Sequence, residues 1–405
     1  MLKVGMRWLC LLMLGMSVSL GCATIPKPAQ PYKPMQESLV SYPSGQVKLQ
    51  GTLCLPAAAD EGKVPAVVLA HGSGPNSRDG FMSGQLNMGF GFKIPVYAEL
   101  AWALCDAGFA TLRYDKRSCS QENKCYENDY PPVNEDSVVI QDFMDDVLAG
   151  VNYLKEYEEI NKQHIFVVGH SQSAQFIPHL MDANRSIRAG VMLAAPYQAI
   201  DKVMLGQLKS TEELLERLKI KKEFADSATQ DLRQWVEELK TLREGSFEGN
   251  EIGHAKTTFW KSWMGIGDQA PTIARTLRRP MLVMSGDYDW NVPTQETRDW
   301  EDWLKHHSRA QHQVVIIGDV THALNEVHER EITEINADKD IERHISLKVT
   351  KQMVDFLKEV IQIDEEESQA EAQEAAHRTG KAAKPADARA PLNAKPAILE
   401  IKKQK

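Results

Sequence analysis

Short apolar runs alternate with amphipathic stretches between residues 37 and 362. The runs at 47–55, 64–70, 110–114, 165–169, 190–195, 280–285 and 313–317 predict strands. A helical period of apolar residues predicts helices over 96–107, 138–157, 173–181, 294–306 and 341–361. Buried strands that alternate with helices are typical of an α/β protein with a mostly parallel, twisted sheet flanked by helices. In such a sheet the carboxyl ends of the strands meet at one edge, where ligands bind.

Residues 201–256 interrupt this alternation, because they contain two amphipathic helical stretches and no predicted strand. Ser210 and Glu213 form a capping box ahead of a leucine-rich stripe. We predict that this segment is a helical cap over the strand ends, inserted into an α/β core of residues 37–200 and 257–362. A peripheral pair of helices that never touches substrate is the alternative.

The amino-terminal end has the features of a targeting segment. Residues 1–22 combine a basic start with an apolar run too short to span a bilayer comfortably, and they predict an export signal. Two cleavage sites compete: a lipoprotein signal would leave a lipidated Cys22 as a membrane anchor, whereas ordinary cleavage would fall near Ala23. Residues 23–36 are rich in proline and predict an extended linker. We therefore expect a periplasmic or cell-envelope location.

The charge distribution separates the carboxyl-terminal end from the rest of the chain. Residues 364–374 carry six acids, whereas 378–405 carry eight bases and two acids. Without apolar periodicity, residues 363–405 are predicted to be a disordered, solvated tail, and an electrostatic anchor to the envelope is the alternative. The net charge of −9 shows no electrostatic footprint for nucleic acid. The twelve histidines lack metal-ligand spacing, so no metal site is expected.

Four cysteines lie in the predicted α/β core. In an exported chain they can form disulfides. Cys119 and Cys125 flank a short polar loop, which favours a local disulfide between them. Cys54 and Cys105 lie in apolar runs and are expected to be free buried thiols.

The segment Gly169-His-Ser171-Gln-Ser173 follows a buried apolar run and precedes a helical one. A serine nucleophile on a strand–turn–helix needs small residues two positions before and after it, because the chain folds back on itself there. Gly169 meets this demand, and Ser173 replaces the more usual glycine. Ser171 is therefore the candidate nucleophile.

The glycine-rich loop after the run at 64–70 is the candidate oxyanion loop. A backbone N–H from such a loop, together with the N–H that follows the nucleophile, can stabilise a developing oxyanion. We assign these donors to Ser73 and Gln172, with Gly72 as the alternative to Ser73. His71 is expected to brace the loop and not to transfer protons.

An acid and a histidine follow later strands in the order expected after a serine nucleophile. Asp289 lies in the turn after the run at 280–285, and His322 follows the run at 313–317. His322 would accept the proton of Ser171, while a carboxylate would hold the imidazole in the required tautomer. Asp289 is the favoured acid, and Asp287 and Asp319 are its rivals.

These motifs resemble the α/β-hydrolase superfamily, and among its members the dienelactone-hydrolase-like serine carboxylesterases. The similar segments are HGSGPNSRDG at 71–80, LRYDKR at 112–117, GHSQS at 169–173, SGDYDWNVP at 285–293 and THAL at 321–324. The resemblance implies a cofactor-free hydrolase of short-chain acyl esters, with Ser171, Asp289 and His322 as its triad and Ser73 and Gln172 as its oxyanion donors. Dienelactone hydrolases proper use a cysteine nucleophile, so their own reaction is not implied.

The predicted reaction is acyl transfer from an ester to water through an acyl-enzyme on Ser171. A peptidase or a thioesterase could use the same groups, and a catalytically silent envelope protein could keep the fold as a scaffold. The charged residues of the LRYDKR segment are expected to fix their loop through ion pairs, and contact with an acidic substrate is the alternative.

Overall fold

The computed structural model describes residues 35–82, 94–119, 138–253, 255–326 and 344–381. The predicted signal, the lipidation of Cys22 and the pairing of Cys125 concern residues outside these ranges. The chain divides into two compact units, Met1–Lys358 and Glu359–Lys405, and the first contains every strand named below.

The strands account for the predicted α/β class. They are β1 (Met35–Ser44), β2 (Val47–Pro56), β3 (Val64–Ala70), β4 (Phe81–Met82), β5 (Ile94–Pro95), β6 (Ala110–Tyr114), β7 (Ile160–His170), β8 (Ile187–Leu193), β9 (Glu251–Ile252), β10 (Ala255–Lys256), β11 (Met281–Tyr288) and β12 (Gln313–Thr321). Eight of them form one sheet in the order β1-β2-β6-β3-β7-β8-β11-β12. The strands from β6 to β12 in this order run parallel, and β1 and β2 are antiparallel to their neighbours. The mostly parallel sheet is thereby confirmed.

Seven helices named here lie between these strands along the chain, and an eighth follows β12. They are α1 (Val96–Asp106), α2 (Ile140–Leu154), α3 (Ile177–Ala183), α4 (Ile200–Arg217), α5 (Lys222–Glu244), α6 (Thr257–Ala274), α7 (Thr294–His307) and α8 (Leu347–Lys381). The faces of α1 and α2 that contact the sheet are apolar, as the helical period predicts. None of the helices described here is long and apolar enough to cross a membrane.

The first strand was not predicted from the apolar pattern. β1 pairs along its whole length with β2, through a hairpin whose two-residue turn contains Gly45 at φ +59°. Most side chains of β1 are exposed, so a regular alternation of apolar and polar residues is missing. The glycine of the Gly45–Gln46 turn, directly ahead of an apolar run, was the available signal. Residues 35 and 36, predicted to belong to the linker, are instead the first two residues of β1, and the rest of that prediction lies outside the described residues.

The insertion after β8 contains the two predicted helices, α4 and α5. Arg243 of α5 connects the two helices of the insertion, because its guanidinium forms an ion pair with Asp201 of α4 at 2.5 Å. It also connects the insertion to α6 through an ion pair with Asp268 at 2.9 Å. The segment also contains the β9–β10 hairpin, where the sequence predicted no strand. Each of these strands has only two residues, which is too short for a periodic pattern to show.

The carboxyl-terminal segment differs from the predicted disorder over residues 363–381. α8 continues through these residues to Lys381. Glutamate, glutamine and alanine dominate here and favour a helix even without an apolar face. A side-chain hydrogen bond of 2.8 Å from Gln362 to Glu366 adds one (i, i+4) contact. The prediction for residues 382–405 lies outside the described chain.

Cys54 and Cys105 are not free thiols. They form a disulfide that joins β2 to α1, with the Cα atoms 6.3 Å apart. The 51-residue separation shows why the sequence did not predict the pair: only the sheet order brings β2 next to the strand that follows α1. Cys119 is also disulfide-bonded, and its pairing with Cys125 stays a prediction.

Candidate active site

Ser171 lies at the sharp turn between β7 and a short 3₁₀ helix at 171–176. Its φ of +55° is in the left-handed region, which a residue other than glycine adopts only where its surroundings impose it. Gly169 is required for this turn. A Cβ at residue 169 would lie 2.7 Å from the carbonyl oxygen of Ser173 and 2.8 Å from the nitrogen of Ala174. The turn therefore has the geometry of a nucleophile elbow.

Ser173 has a role of its own in the elbow. Its Oγ accepts a hydrogen bond of 3.0 Å from the backbone N–H of His170 and donates one of 3.2 Å to the carbonyl of His170. The hydroxyl thus closes the turn across the nucleophile. A serine at this position therefore keeps the small size that the elbow needs and adds two contacts that glycine would lack.

Asp289 and His322 meet at the carboxyl ends of β11 and β12. His322 Nδ1 lies 2.8 Å from Asp289 Oδ2, and the carboxylate is fully buried. Asp289 Oδ1 accepts the backbone N–H groups of Asn291 and Val292 at 2.9 and 2.8 Å. Both carboxylate oxygens are therefore engaged. With Nδ1–H donated to Asp289, the Nε2 of His322 carries the lone pair that can accept a proton.

The rival acids have another partner. The backbone N–H of Asp319 donates to Asp287 Oδ1 at 2.7 Å, so these two residues contact each other across β11 and β12. Gly286 permits the close approach of these strand ends, because a Cβ there would lie 1.9 Å from the carbonyl oxygen of Val320.

His170 joins the elbow to the loop that carries His322. Its Nε2 lies 2.9 Å from the carbonyl oxygen of His322, and the two imidazole rings are 4.8 Å apart. Burial lowers the pKa of His170 to about 3, and the neighbouring His322 acts in the same direction. The ring is therefore neutral, with its proton on Nε2. This contact joins the loop of His322 to the residue that precedes Ser171, a role that the sequence did not indicate for His170.

Tyr97 completes this network on the other side of the elbow. Its hydroxyl lies 3.4 Å from His170 Nδ1, to which it donates, and accepts the N–H of Gly72 at 2.6 Å. The N–H of Gly72 is therefore already engaged, which leaves Ser73 as the candidate donor in this loop. Ser73 and Gln172 line the same cavity as Ser171.

Asn76 shapes the loop in which Ser73 lies. Its Nδ2 lies 2.9 to 3.2 Å from three successive carbonyl oxygens, those of Gly72, Ser73 and Gly74. These contacts turn the carbonyls to one side of the loop. The sequence contained Asn76 within a motif, but nothing in its spacing indicated this role.

The LRYDKR segment fastens the same loop to the end of β6. Asp115 forms a bidentate ion pair with Arg78, with a shortest contact of 2.7 Å, and Arg113 bonds Asp79 at 2.9 Å. The predicted ion pairs are therefore present. Asp115 and Arg113 pair with the loop at 71–80, whereas Arg117 pairs with Asp142 and Asp146 of α2.

Lys116 is the member of this segment that reaches the site. Its Nζ donates to the carbonyl of Gly72 at 2.7 Å and to Gln172 Oε1 at 2.8 Å, and it lies 4.2 Å from the centre of the Phe143 ring. Burial lowers the pKa of Lys116 to about 7, while the charge of Asp146 raises it by a smaller amount.

His71 is buried between two tyrosine rings. Its ring centre lies 4.7 Å from those of Tyr97 and Tyr114, each in an edge-to-face arrangement. Burial lowers the pKa of His71 to about 3, and the charge of Lys116 contributes. A neutral ring packed in this way matches the predicted bracing role.

The cavity beside Ser171 has mostly apolar walls. Phe143 of α2 lines it, as do Val203 and Met204 of α4 in the insertion. The remaining apolar and aromatic lining comes from Pro196, Ile200, Phe259, Trp260, Trp263 and Val292. The helical insertion thus lines the site at the strand ends. Within the described ranges, no group of three or more His, Cys, Asp or Glu side chains could hold a metal ion.

Residues 86–331 match the serine aminopeptidase S33 family, Hydrolase_4. The match spans more than half of the chain, so the chain belongs to this family of α/β hydrolases, and the predicted superfamily is confirmed. The esterase EstD of Thermotoga maritima is 26% identical over 280 residues. These residues make up 68% of this chain and 58% of EstD, so the chain spans less than two thirds of that relative.

Solved structures with a similar course of the chain include esterases and a peptidase. Est1E of Butyrivibrio proteoclasticus is 16% identical, with 80% of this chain and 98% of that chain covered and a TM-score of 0.46. The structure of Est1E with bound ferulic acid is 17% identical, with 80% of this chain and 99% of that chain covered and a TM-score of 0.49. An acylaminoacyl peptidase of Pyrococcus horikoshii is 13% identical, with 72% and 38% covered and a TM-score of 0.45.

Proposed function

We propose that this chain is a serine carboxylesterase that cleaves carboxylic esters through an acyl-enzyme on Ser171. The observation that carries the proposal is the 2.8 Å contact between His322 and a fully buried Asp289. The left-handed backbone of Ser171 at the elbow supports it. Membership of the hydrolase family and the likeness to EstD, which is named an esterase, support the same class of reaction.

In the proposed reaction the hydroxyl of Ser171 attacks the ester carbonyl carbon while His322 Nε2 accepts its proton. The N–H groups of Ser73 and Gln172 stabilise the oxyanion that forms. The tetrahedral intermediate then collapses, and His322 gives its proton to the departing alcohol oxygen. Water repeats these steps on the acyl-enzyme, releases the carboxylic acid and restores Ser171.

The cavity walls favour an uncharged, apolar acyl or alcohol group. Aromatic side chains of α2 and α6 and aliphatic ones of α4 surround the space next to Ser171. A charged substituent would lose its hydration there with few partners to replace it. We keep short-chain acyl esters as the first substrate class, since nothing in the walls requires a long chain.

A peptidase is the second candidate, because the family description names an aminopeptidase. An aminopeptidase must bind the free ammonium group of its substrate, for which a carboxylate is the usual partner. None of the described residues that line the cavity is an aspartate or a glutamate. The ester therefore fits the cavity better than a peptide with a free amino terminus.

A fluorophosphonate probe tests the nucleophile. We expect it to label the wild type and the control Ser246→Ala, at an exposed serine, but not Ser171→Ala. Absence of labelling in the wild type would support the silent scaffold. The reaction class is then measured with p-nitrophenyl esters from acetate to laurate, matching acyl thioesters and aminoacyl p-nitroanilides. A higher kcat/KM on the anilides than on every ester would exclude the esterase.

We also propose that the chain is exported. The disulfide between Cys54 and Cys105 supports this location, because disulfides form and persist in oxidising compartments. Cell fractionation with palmitate labelling tests the anchor: lipidation predicts a labelled membrane-bound protein that Cys22→Ala releases. Ordinary cleavage predicts no label and the same fraction for both proteins.

A further inference from the structure

Lys116 is a buried lysine with an unusual set of partners. Only 4% of the residue is exposed, yet among the described residues no carboxylate lies within ion-pair distance of its Nζ. Asp146, the acid whose charge acts on it, is bonded to Arg117 through both oxygens, at 2.6 and 2.8 Å. Burial of an amine without a carboxylate partner lowers the stability of the folded chain, which indicates a role for Lys116 in the site.

The two oxygens that Lys116 contacts belong to the two halves of the candidate oxyanion site. One is the carbonyl of Gly72, in the loop after β3, and the other is Oε1 of Gln172, in the elbow after β7. Tyr97 also joins these two segments, but through the N–H of Gly72 and the ring of His170, whereas Lys116 contacts the carbonyl of Gly72 and the side chain of Gln172. The lysine therefore acts as a bridge between a glycine-rich loop and a helix start that are 100 residues apart in the sequence.

The contact with Gly72 acts directly on a proposed donor. The carbonyl of Gly72 and the N–H of Ser73 belong to the same planar peptide unit, in which a trans geometry points the two groups in opposite directions. The Lys116 amine donates to this carbonyl at 2.7 Å, beside the weaker contact from Asn76 at 3.1 Å, and so fixes the plane and aims the N–H of Ser73. It also polarises the amide, which strengthens the N–H as a donor.

We infer that Lys116 is a positioning residue of the oxyanion site: its Nζ orients the Gly72–Ser73 peptide and holds it at a set distance from Gln172. The inference rests on the proposed esterase function. Lys116 acts through the two backbone N–H groups and not as a proton carrier. Its effect is therefore on the stability of the tetrahedral intermediate, while binding of the ground-state ester stays nearly unchanged.

The test compares Lys116→Met with the wild type on one p-nitrophenyl ester. Loss of one oxyanion donor lowers kcat by about 10²- to 10³-fold. For a residue that only positions the donors we expect a loss of roughly 10- to 100-fold, with KM changed by less than about threefold. The Ki of an aryl boronic acid, which forms a tetrahedral adduct on the serine, should rise by the same factor as kcat falls. Lys202→Met, at an exposed lysine of α4, is the matched control.

Rescue with small amines separates positioning from packing and from charge. In Lys116→Ala, ethylammonium should restore part of kcat, because it supplies N–H donors in the space that the side chain leaves. Tetramethylammonium, a cation without N–H groups, should restore none. Equal rescue by both cations would overturn the inference.

The kinetic results also distinguish failure of the Lys116 inference from failure of the proposed esterase function. If the wild type hydrolyses esters while Lys116→Met keeps its kcat and boronate Ki within about threefold, the inference fails and the esterase stands. A wild type that neither hydrolyses esters nor binds the boronate overturns the proposed function instead. If the lysine variants do not fold, Gln172→Leu decides, since it removes one end of the bridge and keeps the backbone N–H. A lower kcat together with a higher boronate Ki in Gln172→Leu supports the inference. An unchanged kcat and Ki in this variant overturn it.

Discussion

The strained backbone of Ser171 depends on the absence of a side chain two residues earlier. The elbow folds back so tightly that the carbonyl of Ser173 occupies the place of a side chain at residue 169. Because that oxygen belongs to the backbone, it cannot move aside without opening the turn. The hydroxyl of Ser173 adds its own hydrogen bonds across the same turn. The position of the candidate nucleophile is therefore set within five consecutive residues.

Gly169→Ala should displace Ser171 and lower kcat/KM by about 100-fold, since a shift of roughly 1 Å at a reacting group has this effect. The measurement is steady-state hydrolysis of an activated ester. Gly265→Ala is the control, because a Cβ at that position of α6 meets no atom within 4 Å. Wild-type kinetics in Gly169→Ala would contradict the account of the elbow.

Asp289→Asn should lower kcat by about 10⁴-fold, because an amide favours the wrong tautomer of His322 and cannot stabilise its charged form. Asp287→Asn, at the rival acid that accepts the N–H of Asp319, should remain within about tenfold of the wild type. Kinetics of both purified variants checks the assignment. The reverse order of effects would make Asp287 the acid.

At the scale of elements, the site depends on how the loop after β3 is tied to the end of β6. Buried ion pairs and the contacts of Lys116 hold this loop, and each partner comes from a different part of the chain. The pair of Arg78 and Asp115 is almost completely buried and bidentate. Loss of one partner would leave the other charge without compensation.

Arg78→Met should lower the free energy of unfolding by about 3–5 kcal/mol, since the carboxylate of Asp115 would stay buried without its cation. Urea unfolding followed by fluorescence measures the change. Lys351→Met removes an exposed ion pair with Asp355 and should change the same free energy by about 0.5 kcal/mol or less. Equal effects would mean that the buried pair contributes no more than a surface one.

At the scale of the whole molecule, stability depends on groups that only the completed sheet buries. His71 and His170 lie in the interior, and burial lowers the pKa of each to about 3. In the unfolded chain a histidine titrates near its ordinary pKa of about 6.5. Below that pH the unfolded state binds protons that the folded state does not, so acid favours unfolding.

The free energy of unfolding should therefore fall as the pH drops from 6.5 towards 3, by about 1.4 kcal/mol per pH unit for each of the two histidines. Urea unfolding at pH 7, 6, 5 and 4 measures the slope. His71→Asn removes one of the contributions, so its free energy should fall less steeply than that of the wild type. Parallel slopes would contradict the buried neutral state of His71.

The disulfide between β2 and α1 adds a second contribution at this scale. Removal of the pair in Cys54→Ser/Cys105→Ser should lower the free energy of unfolding by about 4 kcal/mol, the loop-closure entropy for 51 residues. Unfolding of the oxidised wild type and the double variant gives the difference. An unchanged midpoint and slope in urea would show that the bond does not restrict the unfolded chain.

Prediction from the sequence succeeded where the signal was local. The predicted strands overlap observed ones, because a buried parallel strand is a short apolar run whatever its neighbours are. The elbow could be recognised because its requirements lie between Gly169 and Ser173. Prediction from the sequence failed for β1, which has few buried side chains. It also failed for residues 363–381, where helix-forming residues need no apolar face.

By itself, the sequence determined the α/β class, the insertion after β8 and the residue types available for chemistry. Each of these features can be recognised from the pattern of residues within a short stretch of the chain. Only the tertiary structure decided which groups meet: Cys54 with Cys105, His322 with Asp289 instead of Asp287, and Lys116 with both Gly72 and Gln172. These contacts join segments that are distant in the chain. The order of strands in the sheet brings them together, and no local pattern of residues encodes that order.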